Sequence, residues 1–324
     1  MKYMDPNKQD LSIPLVVAFT PNYFIPVATC LYSLFENTDD KNLFHVICLL
    51  SEELSIELKE KIQLIGAEKA TYSFINLQGK LKDIYVDAKY TEAASYRLLL
   101  PDLLPEYDKV LYIDCDVIVR NDLGYLYHSV DLKDNYLAAV FEAPMDFQQD
   151  HLKAIGVDSG SYINSGFLMM NLKQLREDNM VEKFIEASKA EYLEFPDQDV
   201  LNQLCRGRIL GLPPYYNSIR TFYLPQYKHY FLEKYTEKDW EEVWSHGTIH
   251  YTGTKPWNDF TIEFKTWWQY YDQLPATIKK EWQVNRKLYS LYKVYDSAIG
   301  SFFIDGIRSL YRKWKYNKSN ELWY

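Results

Sequence analysis

The first half of the chain alternates short apolar runs with stretches whose apolar residues recur every three or four positions. The first pattern is typical of buried strands, and the second is typical of amphipathic helices. Together they predict strands over residues 15–19, 44–50, 71–76 and 109–113, and helices over 26–36, 51–65 and 95–104. Repeated strand–helix–strand units form mostly parallel sheets covered by helices, so the order of these segments predicts an α/β fold.

The second half is less regular. Strands are predicted over 137–141, 163–170 and 248–252, and helices over 172–190 and 198–206. Residues 145–161 are polar and contain two glycines, which predicts a loop near the functional site, whereas residues 221–245 show weak periodicity and receive no assignment. From about residue 260 the chain is helical and aromatic. We therefore predict a main domain over 1–259 and a helical extension over 260–324.

The last segment of this extension has two different faces. One helical face carries Phe303, Ile307, Leu310, Tyr311 and Trp314. The other carries Arg308, Arg312 and Lys315, and no acidic residue lies between Gly306 and Lys318. A basic amphipathic helix of this kind can lie on an anionic membrane surface or pack against its own domain, and the sequence leaves both interpretations open.

Composition narrows the class of protein. The net charge of −9 argues against a nucleic-acid binder, because affinity for a duplex needs a dominant basic surface. The four cysteines are scattered without a C-x-x-C pair, which predicts small buried residues in a reducing compartment. Residues 1–14 lack the apolar core of a signal peptide, and no run of about 18 apolar residues occurs. We expect a cytoplasmic protein, at most peripheral at the inner face of the membrane.

Two aspartates, Asp114 and Asp116, follow the fourth predicted strand. If the chain remains extended there, both carboxylates lie on one face and Cys115 lies on the other. Ligands of open parallel sheets bind beyond the carboxyl ends of the strands, where this pair is expected. Two carboxylates there form a hard-oxygen site for Mn²⁺ or Mg²⁺, which also binds diphosphate oxygens. The alternative is a chance D-x-D pattern in a turn or helix cap.

A second segment, IHYTGTKPW at residues 249–257, adds three groups of related chemistry. His250 offers an imidazole, which combined with carboxylates favours Mn²⁺ over Mg²⁺. Gly253 allows a phosphate to approach the backbone, and Lys255 supplies a positive charge. A lone histidine near a strand is more often structural. The three residues together favour a metal and diphosphate site.

Six segments occur in a fixed order between residues 15 and 257. They are VAFTPNYF at 17–24, SYRLLLPDLLP at 95–105, LYIDCDVIV at 111–119, YINSGFLMMNL at 162–172, PDQDVLN at 196–202 and HYTGTKPW at 250–257. In this order they resemble family 8 of the retaining glycosyltransferases, the group of the lipopolysaccharide galactosyl- and glucosyltransferases and glycogenin. The resemblance implies a GT-A fold, a UDP-sugar donor of the hexose class, Mn²⁺, and retention of the anomeric configuration. The acceptor is expected to be a glycan or a lipid-linked saccharide.

The resemblance also assigns roles by position. Asp114, Asp116 and His250 are expected to bind the metal, and Gly253 and Lys255 to contact the diphosphate. The expected donor contacts are Ala18, Thr20, Asn22 and Tyr23 at the uridine, Cys115 beside the carboxylates, and Arg97, Glu142, Asn164, Asp197 and Gln198 at the sugar. Asp197 and Gln198 are the expected catalytic residues. Asp197 is interpreted as binding sugar hydroxyls and Gln198 as stabilising oxocarbenium character, although Asp197 also fits a helix N-cap.

Three positions depart from the pattern of the family. Thr20 stands where well-known members have an aspartate facing the uracil. The segment after Gly253 is one residue shorter than the common H-x-x-G-x-x-K-P-W form, which puts the reach of Lys255 in doubt. Glu142 stands where some members carry a shorter acid. Two other classes remain open: a catalytically silent sugar-nucleotide or glycan-binding protein on the same fold, and a nucleotidyltransferase.

Overall fold

The structure is a computed structural model that describes residues 12–81, 92–143 and 145–316. In its last helix the side chains of residue 308 and of residues 311–316 are not described. Residues 1–11 of the polar N-terminal segment therefore lie outside the described residues. The same holds for the side chains of Arg308, Tyr311, Arg312, Trp314 and Lys315.

A large mixed sheet occupies the centre of the described chain. Its strands are β1 (Ile13–Phe19), β2 (Phe44–Leu50), β3 (Ala70–Asn76), β4 (Lys109–Ile113), β6 (Leu137–Phe141), β7 (Ile163–Asn171) and β8 (Ile209–Gly211). They lie in the order β3-β2-β1-β4-β7-β6-β8. Only β7 runs antiparallel to its neighbours β4 and β6, and the other pairings are parallel. The predicted mostly parallel sheet is confirmed.

A small three-stranded sheet continues from β4. It consists of β5 (Val117–Ile118), β9 (Ser218–Ile219) and β10 (Ile249–His250), in the order β5-β10-β9. Strand β10 is antiparallel to β5 and parallel to β9. Residues 114–116 connect the two sheets, and His250 pairs with Val117, the first residue of β5. Pairing of β5 with β10 thus brings two segments about 130 residues apart in sequence to the same place.

Helices cover both faces of the large sheet. Those before β8 are α1 (Phe24–Glu36), α2 (Ile56–Ile62), α3 (Glu92–Ser95), α4 (Leu100–Leu103), α5 (Leu123–Ser129), α6 (Gln149–Ala154), α7 (Leu172–Glu177), α8 (Met180–Ala187) and α9 (Pro196–Leu204). Those after it are α10 (Lys228–Lys234), α11 (Glu237–His246), α12 (Phe264–Gln273), α13 (Ala276–Lys279), α14 (Arg286–Asp296) and α15 (Ala298–Tyr316). Short 3-10 helices lie at Pro21–Tyr23, Tyr96–Leu99, Asp146–Gln148, Pro214–Tyr216, Arg220–Tyr223 and Pro225–Tyr227.

The alternation of side chains along the strands builds two cores. In β1, Leu15 and Val17 enter the core shared with α1 and α12, while Val16 enters the core shared with α7, α8 and α9. All three side chains are fully buried. Burying each such side chain contributes about 1.5–3 kcal/mol. The strand is apolar throughout because both of its faces are covered.

Two predicted helices, α1 and α9, are displaced by two residues at most, and the other three differ more from the structure. Helix α2 begins after Ser55, not Ser51, because the Ser55 side chain accepts the hydrogen bond of Leu58 N–H at 3.2 Å. The predicted helix over 95–104 is divided into α3, a 3-10 turn and α4, and Pro101, which cannot donate an N–H, lies in the first turn of α4. The predicted helix over 172–190 is divided into α7 and α8 at Asn179, whose φ of 52° is left-handed.

Two irregular regions contain more structure than their sequence indicates. Residues 145–161 include α6, where Leu152, Ile155, Val157 and Tyr162 form a small cluster of their own. The segment 221–245 contains α10 and α11. A reciprocal capping box between Thr236 and Asp239 starts α11. The helix thus has a defined first residue although its sequence shows only weak periodicity.

The predicted C-terminal extension is helical. Its aromatic side chains pack into the core that also holds α1, with Trp267 stacked on Tyr271 at 5.5 Å and Trp268 stacked on Tyr292 at 6.1 Å. Many aromatic side chains of the extension are thus part of the core. The division at residue 259 stays a prediction. Within the described residues, no helix is long and apolar enough to cross a membrane.

Candidate active site

The two aspartates lie in a turn between the sheets. Asp114 follows β4, and residues 115 and 116 turn the chain into β5. The extended geometry that the sequence analysis considered for the D-x-D segment therefore does not occur. Asp114 N–H donates to the carbonyl of Gly166 at 2.8 Å, so β7 fixes the start of the turn. The Sγ of Cys115 donates to the carbonyl of Ala18 at 3.3 Å.

The structure brings the three predicted metal ligands together. Their candidate ligand atoms all lie within 4.8 Å of one another. His250 Nε2 lies 3.3 Å from Asp116 Oδ1 and 3.8 Å from Asp114 Oδ2. The imidazole is buried, whereas the Asp114 side chain is 26% exposed, which leaves the group accessible from one side.

A glycine makes room for this cluster. A Cβ on Gly166 would lie 2.6 Å from Asp114 Oδ2 and closer still to His250 Cε1. No side chain fits there, so only a glycine at position 166 leaves room for Asp114 and His250. Two carboxylates and one imidazole are a donor set that suits Mn²⁺ and also accepts Mg²⁺. The residues present therefore fit a divalent cation.

Lys255 reaches the carboxylates despite the shortened segment. Its Nζ forms an ion pair with Asp116 Oδ2 and donates to the carbonyl of Tyr251 at 2.6 Å. Burial alone would raise the pKa of Asp116, but Lys255 and His250 outweigh it and hold that pKa below its usual range. Asp116 therefore stays ionised to a lower pH than an ordinary aspartate does. Gly253, with φ at 79°, turns the chain between His250 and Lys255.

Arg97 contacts the carboxylates of Asp114 and Asp197. The guanidinium is 2% exposed, and its Nη2 donates to Asp114 Oδ1 at 2.8 Å while its Nε lies 3.1 Å from Asp197 Oδ2. Its Nη1 donates to the carbonyl and the hydroxyl of Ser165. Burial raises the pKa of Asp197, and the charge of Arg97 offsets only part of that effect. Most donors of Arg97 are thus engaged by the protein, which makes it a positioning residue.

The predicted sugar-binding residues form one network. Asn164 Nδ2 donates to Glu142 Oε1 at 3.2 Å and to Gln198 Oε1 at 3.1 Å. Gln198 Oε1 also accepts from Ser165 N–H at 3.0 Å, and Gln198 Nε2 donates to the Tyr162 hydroxyl at 3.0 Å. Because backbone N–H groups only donate, these bonds fix the orientation of the Gln198 amide. Burial raises the pKa of Glu142.

Asp197 lies in the first turn of α9 and is not its N-cap. The cap position belongs to Phe195, and Asp199 accepts from the N–H groups of Glu194 and Phe195, both at 3.0 Å. Asp197 Oδ2 instead accepts from the Ser165 hydroxyl at 3.0 Å. The capping alternative does not describe Asp197, whose carboxylate faces the cluster.

Asn217 is a residue that the sequence analysis missed. It is fully buried, with Oδ1 3.0 Å from His250 Nδ1, and its Nδ2 donates to Asn164 Oδ1 at 2.9 Å. Asn164 Oδ1 also accepts from Gly166 N–H at 3.1 Å. That backbone donor identifies Oδ1 of Asn164 as the acceptor, so Asn217 must donate to it from Nδ2. Asn217 Oδ1 is then the atom that faces His250, and His250 must donate to it from Nδ1. Nε2 is then the ring nitrogen that faces Asp114 and Asp116 and that a cation would meet.

The predicted uridine contacts lie at the end of β1, next to the turn. Ala18 contacts Cys115 as described, and the Thr20 hydroxyl donates to Asn22 Oδ1. Tyr23 packs edge-on against Trp257 at 6.0 Å between ring centroids. Burial, followed by the charge of Asp116, raises the pKa of Tyr23 to about 12. The Tyr23 hydroxyl therefore lies within the electrostatic influence of Asp116.

Comparisons with known proteins agree with this architecture. The sequence profile described as Glycosyl transferase family 8 matches residues 14–261. A lipopolysaccharide 1,2-glucosyltransferase of Escherichia coli is 30% identical over 248 residues, which cover 74% of this chain and 71% of that protein. General stress protein A of Bacillus subtilis is 29% identical over 197 residues, covering 58% of this chain and 67% of that protein.

Solved structures show the same fold. The galactosyltransferase LgtC, in complex with donor and acceptor sugar analogues, superposes with a TM-score of 0.67 at 23% identity, covering 83% of this chain and all of that one. The bifunctional glycosyltransferase WbbM gives 0.69 at 22% identity, covering 84% of this chain and 52% of that one. Fold and family profile together define a glycosyltransferase of the GT-A type. The chain belongs to glycosyl transferase family 8.

Proposed function

We propose that the protein transfers a hexose, glucose or galactose, from a UDP-sugar to a glycan or lipid-linked acceptor, with retention of configuration. The observation that carries this proposal is the cluster of Asp114, Asp116 and His250 beside Lys255. We propose that the cluster holds Mn²⁺, with Mg²⁺ as a substitute. Such an ion supplies charge neutralisation for a departing diphosphate, which needs no proton from an acid.

The chain's own residues have separate tasks in this proposal. Lys255 neutralises a diphosphate that Gly253 allows to approach the backbone. Arg97 holds Asp114 and Asp197 in fixed positions, so that one guanidinium links the cation site to the sugar site. Asp197 binds sugar hydroxyls directly.

Gln198 and Glu142 contact the sugar from the other side in this proposal. The Gln198 carbonyl oxygen is held by Asn164 and Ser165, which suits it to stabilise positive charge on the anomeric carbon without moving. Glu142 anchors the amides of Asn164 and Gln198. The carboxylate of Glu142 also selects among hexoses, because it accepts a hydrogen bond from one sugar hydroxyl whose position differs between them.

We further propose that α15 contacts an anionic membrane surface. Ile299, Phe302, Phe303, Ile307 and Leu310 are 61–78% exposed on this helix. None of these five side chains is buried by the described residues. The basic residues between Gly306 and Lys318 supply charge complementary to anionic lipid. This surface places the enzyme next to lipid-linked acceptors.

The decisive experiment measures hydrolysis and thermal stabilisation with a panel of UDP-hexoses, with and without Mn²⁺. We expect slow Mn²⁺-dependent hydrolysis of at least one UDP-hexose, abolished by Asp114→Asn or Asp116→Asn. Asp102→Asn, an exposed aspartate of α4, serves as the matched control. Mn²⁺-dependent binding without any turnover would favour the silent binding protein. Neither binding nor turnover across the panel would end the proposal.

A further inference from the structure

Arg220 stands at the end of β9, next to the residues that carry the proposed chemistry. The preceding residue, Ile219, pairs in parallel with His250. The backbone N–H of Arg220 donates to the Thr252 hydroxyl at 3.2 Å, which ties it to the segment that leads to Gly253. Arg220 therefore leaves its strand on the same edge of the small sheet as the metal ligand His250.

The Arg220 guanidinium has no anionic partner in the part of the chain that the structure describes. Its Nε is buried without a hydrogen-bond acceptor, and the hydroxyl of the adjacent Thr221 is buried and unpaired as well. A buried polar group without a partner costs about 1–3 kcal/mol, and more if it is charged. Two consecutive unpaired groups therefore indicate a ligand that supplies acceptors.

Gly253 defines the space that such a ligand would enter. A Cβ on Gly253 would have a single neighbour within 4 Å, Arg220 Nη1 at 3.6 Å. The guanidinium therefore borders the open side of the glycine. Lys255 lies two residues further on. A second cationic residue thus follows Gly253 closely in the chain, and the backbone of Gly253 is exposed.

The charges around the cluster distinguish Arg220 from the other cations. Arg97 is matched by Asp114 and Asp197, and Lys255 is matched by Asp116. Arg220 forms no ion pair with any described residue. Its positive charge is therefore available to a substrate without breaking a contact of the protein.

We propose that Arg220 binds a phosphate-type oxyanion over Gly253. A guanidinium presents a planar fork of donors that matches two oxygens of such a group. The inference rests on the proposed function, in which the donor's diphosphate is the oxyanion at hand. An acidic group carried by the acceptor has the same chemistry and is the second source.

The experiment compares the full-length protein with Arg220→Gln, Arg220→Lys and the control Arg206→Gln, a surface arginine paired with Asp158. Calorimetry measures binding of UDP with Mn²⁺ and of inorganic pyrophosphate alone. A second arm compares glucose 6-phosphate with glucose as ligands of the protein loaded with Mn²⁺ and UDP. Melting temperatures identify any variant that fails to fold, and Arg220→Lys keeps the charge if Arg220→Gln does not fold.

We expect Arg220→Gln to weaken oxyanion binding about tenfold or more, with Arg220→Lys intermediate and Arg206→Gln unchanged. Weaker binding of UDP or pyrophosphate assigns Arg220 to the donor. Loss of the preference for glucose 6-phosphate alone assigns it to an acidic acceptor. Unchanged binding in both arms overturns the inference. If the parent protein binds pyrophosphate through Arg220 but shows no Mn²⁺-dependent binding of UDP, the proposed function fails and this inference stands.

Discussion

Asn217 Oδ1 lies 3.0 Å from Nδ1 of His250, on the side of the imidazole that faces away from Asp114 and Asp116. The backbone N–H of Gly166 determines this arrangement through the amide of Asn164. One chain of hydrogen bonds therefore connects the proposed cation site to Asn164, Glu142 and Gln198. It sets the His250 tautomer and the orientation of the amides that we propose to bind the sugar.

Removing the Asn217 acceptor is expected to weaken cation binding. Asn217→Leu has a similar volume but cannot accept from His250, so the affinity for Mn²⁺ should fall about 10- to 100-fold. Asn217→Asp keeps the acceptor and loses the donor to Asn164, so it should bind Mn²⁺ at least as tightly while hydrolysing UDP-hexose more slowly. Titration of Mn²⁺ against the melting temperature measures both variants. Equal Mn²⁺ affinity in Asn217→Leu and the parent would refute the tautomer argument.

Gly166→Ala is expected to displace the metal ligands. The added methyl group would overlap His250 and Asp114, at a cost of about 1–3 kcal/mol and with loss of Mn²⁺-dependent stabilisation. Gly306→Ala is the control, because a Cβ there meets nothing within 4 Å. Urea unfolding with and without Mn²⁺ separates the two effects. A Gly166→Ala protein that responds to Mn²⁺ as the parent does would contradict the described packing.

The pKa of Glu142 predicts a pH-dependent stability difference. Burial raises this pKa, so the folded state favours the protonated carboxyl, and its contribution is lost as the pH rises through the raised pKa. Glu142→Gln resembles the protonated form. Its free energy of unfolding relative to the parent should therefore increase from about pH 4 towards neutral pH. Urea unfolding across pH tests this expectation, with the exposed Glu241→Gln as control. A difference that is constant or falls with pH would exclude it.

The apolar face of α15 predicts binding to vesicles. The double variant Phe303→Ser and Ile307→Ser, or deletion after about residue 302, should release the protein from anionic vesicles and leave UDP-hexose hydrolysis intact. Ile56→Ser removes an equally exposed apolar side chain, 76% accessible, from α2 and should change neither property. Sedimentation with anionic and neutral vesicles measures the effect. Retained binding in both tail variants would rule out a membrane role for α15.

The sequence alone predicted seven of the described strands and the candidate metal ligands, but not the short strands β5, β8 and β9. Apolar runs predicted β2, β4 and β6 to the residue, because a strand covered on both faces must be apolar along its whole length. The chemistry of the candidate site could be predicted from Asp114, Asp116 and His250. Carboxylates and imidazoles are recognised from the residue type alone.

Only the tertiary structure decided how these residues meet. The turn at 114–116 depends on a hydrogen bond to Gly166, and the His250 tautomer depends on Asn217, which has no motif of its own. The open space beside Gly253 and the unpaired Arg220 exist because β9 and β10 pair in parallel. Such contacts join residues far apart in sequence, and a pattern of neighbouring residues therefore cannot predict them.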